Sequence, residues 1–264
     1  MSKSIHPTAV IDENASLGAD VVIGAFCVVG PHVTLEDGVE LKSHVVVDGH
    51  TTVGAGTVIH PFASIGGMPQ DLKYAGEAST LVIGKNNVIR EHVTMNPGTK
   101  DGAMTTTIGD NCLFMMGAHV AHDCVVGNRV ILANNATLAG HVQVGDFVII
   151  GGLSAVHQFI RIGHHAIIGG MSGVEADVIP YGRVKGERAG LAGLNLIGLE
   201  RNGFDKTQLK LLQKAFGTLF GRDGTLDERI DATAAAFSDN ETVQAIVTFV
   251  REPSKFPLCQ PPKK

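Results

Sequence analysis

Histidine side chains recur near an 18-residue spacing in the middle of the chain. Eighteen residues after His122 comes Gly140, which precedes His141, and eighteen residues after Gly140 comes Gln158, which follows His157. Neutral imidazole is a suitable general base near pH 7, so such a column could take a proton from a substrate hydroxyl. The competing interpretation is a set of unrelated surface histidines, because the chain contains 12 of them.

A six-residue hydrophobic period supplies the elements that would position these histidines. A large apolar residue occupies every sixth position over residues 5–65, again over 83–95, and again over 108–174. Position five of each hexad, two residues before the next large one, usually carries a small side chain. Residues two apart in a strand point to the same face, so each hexad predicts a short strand with two inward side chains. The 3.6-residue period of helices is absent from this region.

Three of the four cysteines fall on the inward position five, which predicts that they fill the core. These are Cys27, Cys112 and Cys124, whereas Cys259 lies in the C-terminal tail and carries no such signal. Their spacing is not that of a metal site. Asn87 also falls on an inward position, where the pattern gives no reason for a polar side chain.

Two interruptions and one change of period divide the chain. Polar segments near 66–80 and 96–107 replace regular hexads and predict loops, which are common places for function on a rigid scaffold. The six-residue rule ends near residue 187, which predicts a repeat domain over 1–186 and a helical domain over 187–264. In the second domain, Thr225 and Glu228 predict a capping box, and Asn240 predicts another helix start.

Composition and charge exclude several classes of protein. With 44% hydrophobic and 18% charged residues the chain is globular, and its net charge of −5 argues against a general nucleic-acid binder. No run approaches the roughly 20 apolar residues that a transmembrane helix needs. The first residues lack the pattern of a secretion signal, so a cytoplasmic protein is expected.

The six-residue period resembles that of the hexapeptide-repeat proteins over about two thirds of the chain. In those proteins three hexads make one triangular coil, and the coils form a left-handed parallel β-helix, against the usual right-handed preference of parallel crossovers. The strings PQDLKY, NVIRE, LAGHV, AVHQF and NLIGLERNGF narrow the resemblance to the UDP-N-acetylglucosamine 3-O-acyltransferase family of lipid A biosynthesis. The resemblance implies a mainly β fold of hexapeptide repeats followed by a C-terminal α-helical domain.

The same resemblance implies an activity and a set of catalytic roles. A 3-hydroxyacyl chain would pass from acyl carrier protein to the 3-hydroxyl of UDP-N-acetylglucosamine, which is the first step of lipid A biosynthesis. His122, the second histidine of the string AHVAHD, would be the general base, and Asp123 would orient its imidazole. The backbone N–H of Gly140 would stabilise the developing oxyanion, and the coil length places it one strand spacing, roughly 4.8 Å, from His122.

Further residues match positions that contact substrate in the family. Gly170 matches the residue that limits acyl-chain length, and glycine there leaves the groove open for a long chain such as 3-hydroxymyristoyl. Many relatives carry two consecutive arginines where this chain has Arg201 followed by Asn202, so the second charge for a phosphate contact is missing. The substrate-binding matches are Gln70, Asp71, Lys73, His119, His141, His157, Gln158, Asn195 and Arg201.

Partners and assembly also follow from the resemblance. The acyl group would arrive on the phosphopantetheine of acyl carrier protein, without another cofactor or a metal, and homotrimers would carry active sites between adjacent prisms. Lys206, Lys210 and Lys214 form one helical face that suits the acidic carrier protein, although a solvated helix face is the simpler interpretation.

Two other enzyme classes fit parts of the pattern. A γ-type carbonic anhydrase is a zinc-dependent β-helix enzyme that binds its metal with histidines from adjacent subunits, and an outward histidine cluster would serve it. Metal analysis of the purified protein discriminates between this zinc enzyme and the acyltransferase. The related N-acyltransferases carry a uridine-binding domain ahead of the repeat, whereas here the repeat begins at Ile5.

Overall fold

The computed structural model describes residues 4–262 as a three-sided prism of short strands followed by four helices. The strands are β1 (Ser4–Ile5), β2 (Val10–Ile11), β3 (Ser16–Leu17), β4 (Val22–Ile23), β5 (Val28–Val29), β6 (Thr34–Leu35), β7 (Glu40–Leu41), β8 (Val46–Val47), β9 (His50–Val53), β10 (Val58–Ile59), β11 (Ser64–Ile65), β12 (Thr80–Ile83), β13 (Val88–Ile89), β14 (Thr94–Met95), β15 (Thr105–Ile108), β16 (Leu113–Phe114), β17 (His119–Val120), β18 (Val125–Val126), β19 (Ile131–Leu132), β20 (Thr137–Leu138), β21 (Gln143–Val144), β22 (Ile149–Ile150), β23 (Ala155–Val156), β24 (Arg161–Ile162), β25 (Ile167–Ile168), β26 (Gly173–Val174), β27 (Gly182–Lys185) and β28 (Gly190–Leu194). The helices are α1 (Leu196–Arg201), α2 (Lys206–Leu219), α3 (Leu226–Ala236) and α4 (Glu241–Arg251).

Each strand from β1 to β23 pairs in parallel with the third strand after it, which builds three sheets around one axis. Sheet 1 runs from β1 through every third strand to β25 and ends with β27 and β28, sheet 2 runs from β2 to β26, and sheet 3 runs from β3 to β24. The register is 18 residues in uninterrupted coils, as between Val28 and Val46. The predicted left-handed parallel β-helix of hexapeptide repeats, followed by helices, is confirmed.

The corners of the prism contain a residue in the left-handed backbone region. Such a conformation costs about 1–2 kcal/mol for a residue other than glycine. At these corners the same residue donates its backbone N–H to the coil below. The N–H of His141, with φ of 63°, donates to the carbonyl of His122 at 3.0 Å, and that of Phe159, with φ of 66°, donates to Gly140 at 3.1 Å. These bonds satisfy corner groups that the strands leave unpaired.

The core is a narrow aliphatic column, as the period predicts. Cys27, Cys112 and Cys124 are buried in it, and each thiol donates to the carbonyl oxygen of the residue fifteen positions later, at 2.7, 3.2 and 3.1 Å. Burial raises the pKa of Cys124 to about 12 and that of Cys112 to about 11, so both remain uncharged thiols. Cys259, which carried no sequence signal, is also buried.

The buried amide of Asn87 has a structural explanation. Its Nδ2 donates to the carbonyls of Gly84 and Gly109, both at 2.9 Å, and its Oδ1 accepts from the N–H of Cys112 at 2.7 Å. Asn87 therefore connects the backbone groups of Gly84, Gly109 and Cys112 at the point where coils of unequal length meet. A fully paired amide can be buried at little cost, whereas an apolar residue there would leave the carbonyl of Gly109 and the N–H of Cys112 unpaired, since the carbonyl of Gly84 also accepts from Thr57.

Both predicted loops leave the prism at one corner. Residues 66–79 connect β11 to β12, and residues 96–104 connect β14 to β15, so each loop joins sheet 2 to sheet 3. The loops contact each other, because Nδ2 of Asn96 donates to the carbonyls of Gly67 and Met68 at 3.0 and 3.2 Å. We call the edge where sheet 2 turns into sheet 3 corner 2–3, and name the other two edges corner 1–2 and corner 3–1 in the same way.

The C-terminal region begins as a hairpin on the prism and continues as helices. Strands β27 and β28 pair antiparallel, and the proposed division at 186/187 falls in their turn. The capping box of Thr225 and Glu228 and the Asn240 cap are present as predicted, and Asp205 with Gln208 forms a capping box that the sequence reasoning missed. Between residues 4 and 262 no helix has the length and apolar character needed to cross a membrane.

Candidate active site

Corner 2–3 places a histidine and a carboxylate in direct contact. His122 and Asp123 occupy the turn between β17 and β18, and Nδ1 of the imidazole lies 2.8 Å from Oδ2 of the carboxylate. Because the carboxylate accepts, the proton of a neutral imidazole lies on Nδ1 and leaves Nε2 with a free lone pair. That arrangement makes Nε2 of His122 a proton acceptor on the open side of the corner.

The carboxylate of Asp123 is held by the second loop. Its oxygens accept from Oγ1 of Thr99 at 2.7 Å, from the N–H of Thr99 at 3.1 and 3.2 Å, and from the N–H of Ala103 at 2.8 Å. The residue is only 5% exposed. Burial alone would raise the pKa of Asp123, but hydrogen bonds from His122 and Thr99 outweigh it and hold the pKa below its usual value. Asp123 is therefore ionised and rigidly oriented at neutral pH.

Gly140 lies one coil from His122, as the 18-residue spacing predicts. A Cβ atom built at this glycine would lie 2.5 Å from Cε1 and 2.6 Å from Nε2 of His122, so only hydrogen fits there. Among residues 4–262, no acceptor lies within hydrogen-bond distance of the Gly140 N–H. A free backbone donor beside the proton acceptor is the arrangement that stabilises an oxyanion.

A stack of rings continues the corner beyond the histidine. The rings of His122 and His141 meet edge to face with centroids 5.0 Å apart, and His141 stacks on Phe159 with centroids 4.3 Å apart. Burial lowers the pKa of His141; Asp123 raises it by a smaller amount, and His122 lowers it slightly further. His141 is therefore neutral at pH 7 and able to both donate and accept a hydrogen bond.

The first loop closes one side of an open cleft above these residues. Nζ of Lys73 lies 3.6 Å from Oδ2 of Asp101 on the second loop, so the two loops are bridged by an exposed ion pair. The cleft has a volume of about 690 Å³, large enough for a sugar nucleotide. It is lined by Gln70, Asp71, Leu72, Lys73, Asp101, His122, His141, Gln158 and Phe159.

Two further predicted residues lie near this cleft without lining it. His157 is exposed at corner 2–3, and its ring meets Phe256 edge to face with centroids 5.2 Å apart. His119 points outward from sheet 2 and is hydrogen-bonded through Nδ1 to Oγ1 of Thr94 at 2.7 Å. Burial, and to a smaller extent His122, lowers the pKa of His119.

Three predicted residues lie elsewhere in the same chain. Gly170 is at corner 1–2, between β25 and β26. Asn195 caps α1 through Oδ1 and donates from Nδ2 to the carbonyl of His165 at 2.9 Å, so its amide is used within the fold. Arg201 is exposed at the end of α1. One protomer alone does not bring these residues to His122.

Sequence reasoning missed two contributors to the site. Adding 18 to His141 gives Phe159, so the coil length could have identified the aromatic residue at the end of the stack. Thr99 had no comparable signal, because the loop that carries it does not follow the six-residue period. Its contact with Asp123 spans 24 positions and depends on how the loop folds back.

The histidine cluster also tests the zinc hypothesis. His122, Asp123 and His141 each place one possible ligand atom within 4.8 Å of the others. Asp123, however, already accepts four hydrogen bonds, from His122, from Ala103 and twice from Thr99. Those bonds occupy the carboxylate lone pairs that a metal would need, so the cluster is arranged as a proton-transfer pair rather than as a ligand set.

Comparison with known proteins agrees with the geometry. The family described as bacterial transferase hexapeptide (six repeats) matches residues 105–140, which include His122 and Gly140. The second domain of UDP N-acetylglucosamine O-acyltransferase matches residues 177–258. A coiled prism with a histidine–aspartate pair at one corner thus defines a transferase of the hexapeptide class.

Full-length relatives narrow this class. The chain is 52% identical over 261 residues to an acyl-[acyl-carrier-protein]–UDP-N-acetylglucosamine O-acyltransferase of Caulobacter vibrioides, covering 99% of both chains. It is 52% identical to the protein of that name from Rickettsia canadensis, covering 98% of both. The solved UDP-N-acetylglucosamine acyltransferase of Campylobacter jejuni matches with a TM-score of 0.92 and 42% identity, covering 97% of this chain and 99% of that one. The chain belongs to the acyl-[acyl-carrier-protein]–UDP-N-acetylglucosamine O-acyltransferase family.

Proposed function

We propose that this protein transfers a 3-hydroxyacyl chain from acyl carrier protein to the 3-hydroxyl of UDP-N-acetylglucosamine, as the first step of lipid A biosynthesis. One observation carries the proposal. At corner 2–3 a histidine oriented by a buried carboxylate lies beside a glycine N–H without an acceptor among the described residues. Family membership supplies the substrates, since the relatives are named for them. Zinc-dependent chemistry is not favoured, because nothing in those names or in the bonding of Asp123 supports it.

The mechanism is a general-base acyl transfer. Nε2 of His122 takes the proton of the sugar hydroxyl while that oxygen attacks the thioester carbonyl. The ionised Asp123 stabilises the imidazolium that forms, and the N–H of Gly140 donates to the tetrahedral oxyanion. Collapse of the intermediate breaks the carbon–sulfur bond, and the proton on His122 passes to the leaving thiolate. The products are the 3-O-acylated sugar nucleotide and the free thiol of the carrier protein.

Binding of the acceptor falls to the remaining residues of the cleft. Gln70, Asp71 and Lys73 from the first loop hold the sugar nucleotide and the acyl hydroxyl, and His141 and Gln158 hold the sugar and the nucleotide. These groups line one continuous cleft with His122, which supports a shared ligand. His119 and His157 lie at the margins of this cleft and help to bind the substrates there.

A homotrimer would complete the site. Sheet 2 exposes Val10, Val28 and Val46 on its outer face, with exposed fractions of 65%, 43% and 38%. Three prisms packed on this face would place corner 1–2 of one protomer against corner 2–3 of the next. Gly170 would then lie beside a neighbour's His122 and leave room for a long acyl chain, since a Cβ there meets only backbone of Gly152 at 3.3 Å. Asn195 and Arg201 would reach the nucleotide or the acyl donor across the same boundary.

The acyl donor would dock on the helical domain, and the reaction would take place in the cytoplasm. Lys210 and Lys214 lie on the outer side of α2 beside a groove of about 440 Å³, which suits an acidic carrier protein. The mechanism needs no metal or cofactor other than the phosphopantetheine of the carrier, so activity should survive exhaustive dialysis against a chelator.

Replacement of His122 by alanine tests the proposed function. Acyl transfer from a 3-hydroxyacyl carrier protein to UDP-N-acetylglucosamine should fall by about 10²–10⁴-fold, the usual worth of a general base. His32→Ala is the matched control, because His32 is an exposed histidine that stacks on His50 at 4.3 Å, outside the cleft. Near-normal turnover in a folded His122→Ala protein would contradict the mechanism. Absence of transfer by the unmodified protein would contradict the function.

A further inference from the structure

The C-terminal segment returns from α4 to the corner that carries the active site. Residues 252–259 follow the helix and run along the top coil of the prism. The N–H of Asp177 donates to the carbonyl of Pro257 at 2.9 Å, and the N–H of Cys259 donates to the carbonyl of Asp177 at 2.8 Å. The far end of this segment is thereby fixed to the scaffold.

A partly buried arginine fixes the near end of the same segment. Nε of Arg161 donates to Oδ2 of Asp177 at 2.7 Å, Nη1 donates to Glu252 at 3.1 Å, and the guanidinium lies 4.5 Å from the ring centroid of Phe249. The Arg161 side chain is 12% exposed and that of Asp177 is fully buried. The residues between the two anchors are therefore held in place although several are solvent-exposed.

These anchors place Lys255 at the end of the ring stack. Its Nζ lies 3.5 Å from the ring centroid of Phe159, which in turn stacks on His141. Starting from the proton acceptor, the order along corner 2–3 is His122, His141, Phe159 and then the ammonium group of Lys255. The side chain is exposed and makes no ion pair within residues 4–262.

Within one protomer, the residues that line the cleft offer an anionic ligand no unpaired cation. Among the described lining residues, Lys73 is the one permanently cationic side chain, and it is paired with Asp101. Asp71 adds a further negative charge, while His141 is neutral. The diphosphate of a sugar nucleotide carries two negative charges.

We propose that Lys255 binds the diphosphate of the sugar nucleotide at the Phe159 end of the cleft, an inference that rests on the proposed function. In the acceptor, the reacting 3-hydroxyl is on C3 and the diphosphate is on C1 of the same sugar ring, with one carbon between them. With the hydroxyl at Nε2 of His122, the sugar lies along His141 and the diphosphate reaches Phe159 and Lys255. A lysine ammonium acts as a point charge for phosphate, and its fixed position lowers the entropy lost on binding.

Kinetics of Lys255→Met test this assignment, because the variant keeps the side-chain length and removes the charge. The KM for UDP-N-acetylglucosamine should rise about tenfold, which corresponds to about 1.4 kcal/mol. The kcat should stay within about twofold, and the KM for the acyl carrier protein should not change, since diphosphate binding is common to ground and transition states. Lys255→Arg should restore the low KM. Lys85→Met is the matched control, because Lys85 is an exposed lysine at corner 3–1.

Direct binding separates this inference from the proposed function. UDP affinity, measured by calorimetry without any acyl donor, should fall about tenfold in Lys255→Met and stay unchanged in Lys85→Met. An unchanged UDP affinity and an unchanged KM would overturn the inference while leaving the transferase intact. A KM increase confined to the acyl carrier protein would also overturn it, by assigning Lys255 to the phosphate of the pantetheine arm. A protein that binds UDP through Lys255 and transfers no acyl group would contradict only the proposed reaction.

Discussion

The ring of His122 occupies the space where a side chain at Gly140 would have to lie. A Cβ on Gly140 would approach Cε1 of His122 to 2.5 Å, well inside contact distance. Because Gly140 has no side chain, the imidazole of His122 on the preceding coil can take its observed position. Within residues 4–262 the N–H of Gly140 has no acceptor, so in the proposed mechanism this one residue provides both the space for the imidazole and the oxyanion donor.

Gly140→Ala should lower kcat by about 10²-fold or more. The methyl group displaces the imidazole from its contact with Asp123, and small displacements of catalytic groups cost rates of that order. Steady-state kinetics with both substrates at saturation measure the effect.

Gly217→Ala serves as the control for this substitution. A Cβ at Gly217 meets nothing within 4 Å, and the residue lies in α2, where alanine stabilises a helix by about 0.5–1 kcal/mol relative to glycine. Full activity and a slightly higher melting temperature are expected. Equal activity of the two variants would remove Gly140 from the mechanism.

Thr99→Val should lower kcat about tenfold and change the pH dependence of transfer. The variant removes the Oγ1–H donor that lies 2.7 Å from Asp123 while keeping the backbone N–H. The pKa of Asp123 rises toward its ordinary value, because one bond that favours the carboxylate is lost. The loss of activity that follows protonation of Asp123 at low pH should therefore begin at a higher pH.

Thr99→Ser distinguishes this positioning role from simple packing. Serine keeps the hydroxyl and loses a methyl group, so it should retain most of the kcat and the pH profile of the unmodified protein. If serine and valine give the same profile, Thr99 does not act through the charge of Asp123.

Asn87→Leu should destabilise the prism by several kcal/mol. Leucine is of similar size but leaves the carbonyl of Gly109 and the N–H of Cys112 without partners, at about 1–3 kcal/mol each, while the carbonyl of Gly84 keeps its bond from Oγ1 of Thr57. Urea-induced unfolding followed by circular dichroism measures the loss.

Cys27→Val is the reference for this experiment, because Cys27 is another inward position-five residue with only a weak thiol donor. It should cost about 1 kcal/mol or less. A similar loss in both variants would show that the Asn87 bonds contribute little to stability.

Stability should fall as the pH drops from about 6.5 to about 4, and His165 should be one cause. Burial, followed by the charge of His164, lowers the pKa of His165 from 6.5 to about 4 in the folded protein. The unfolded chain therefore binds the proton more readily over this range, so acid favours unfolding. His165→Phe, which extends the stack on Phe147 at 4.5 Å, should reduce the difference in melting temperature between pH 7.5 and pH 4.5.

Some of this pH dependence should remain in His165→Phe, because burial also lowers the pKa of the adjacent His164. A difference in melting temperature that is unchanged from the unmodified protein would show that His165 takes up its proton equally in both states.

Most of the scaffold and half of the site follow from local sequence pattern. The inward cysteines and the stacking of Gly140 and Gln158 over His122 could be predicted. Each hexad makes one side of the prism, so counting residues gives the face and the coil on which each residue lies. Asn87 stood out as an exception, but its partners could not be named, since the pairing of Gly84 and Gly109 depends on coils of unequal length.

By itself the amino-acid sequence determined the repeat, the 18-residue column and the pairing of His122 with Asp123, because each arises from regular or adjacent positions. Only the tertiary structure decided that Thr99 holds Asp123 and that Lys255 ends the ring stack on Phe159. Those contacts join a loop and a C-terminal segment to the scaffold across irregular chain lengths. The six-residue period does not specify where such segments contact the prism, because their paths are set by anchoring contacts such as those of Arg161 and Asp177.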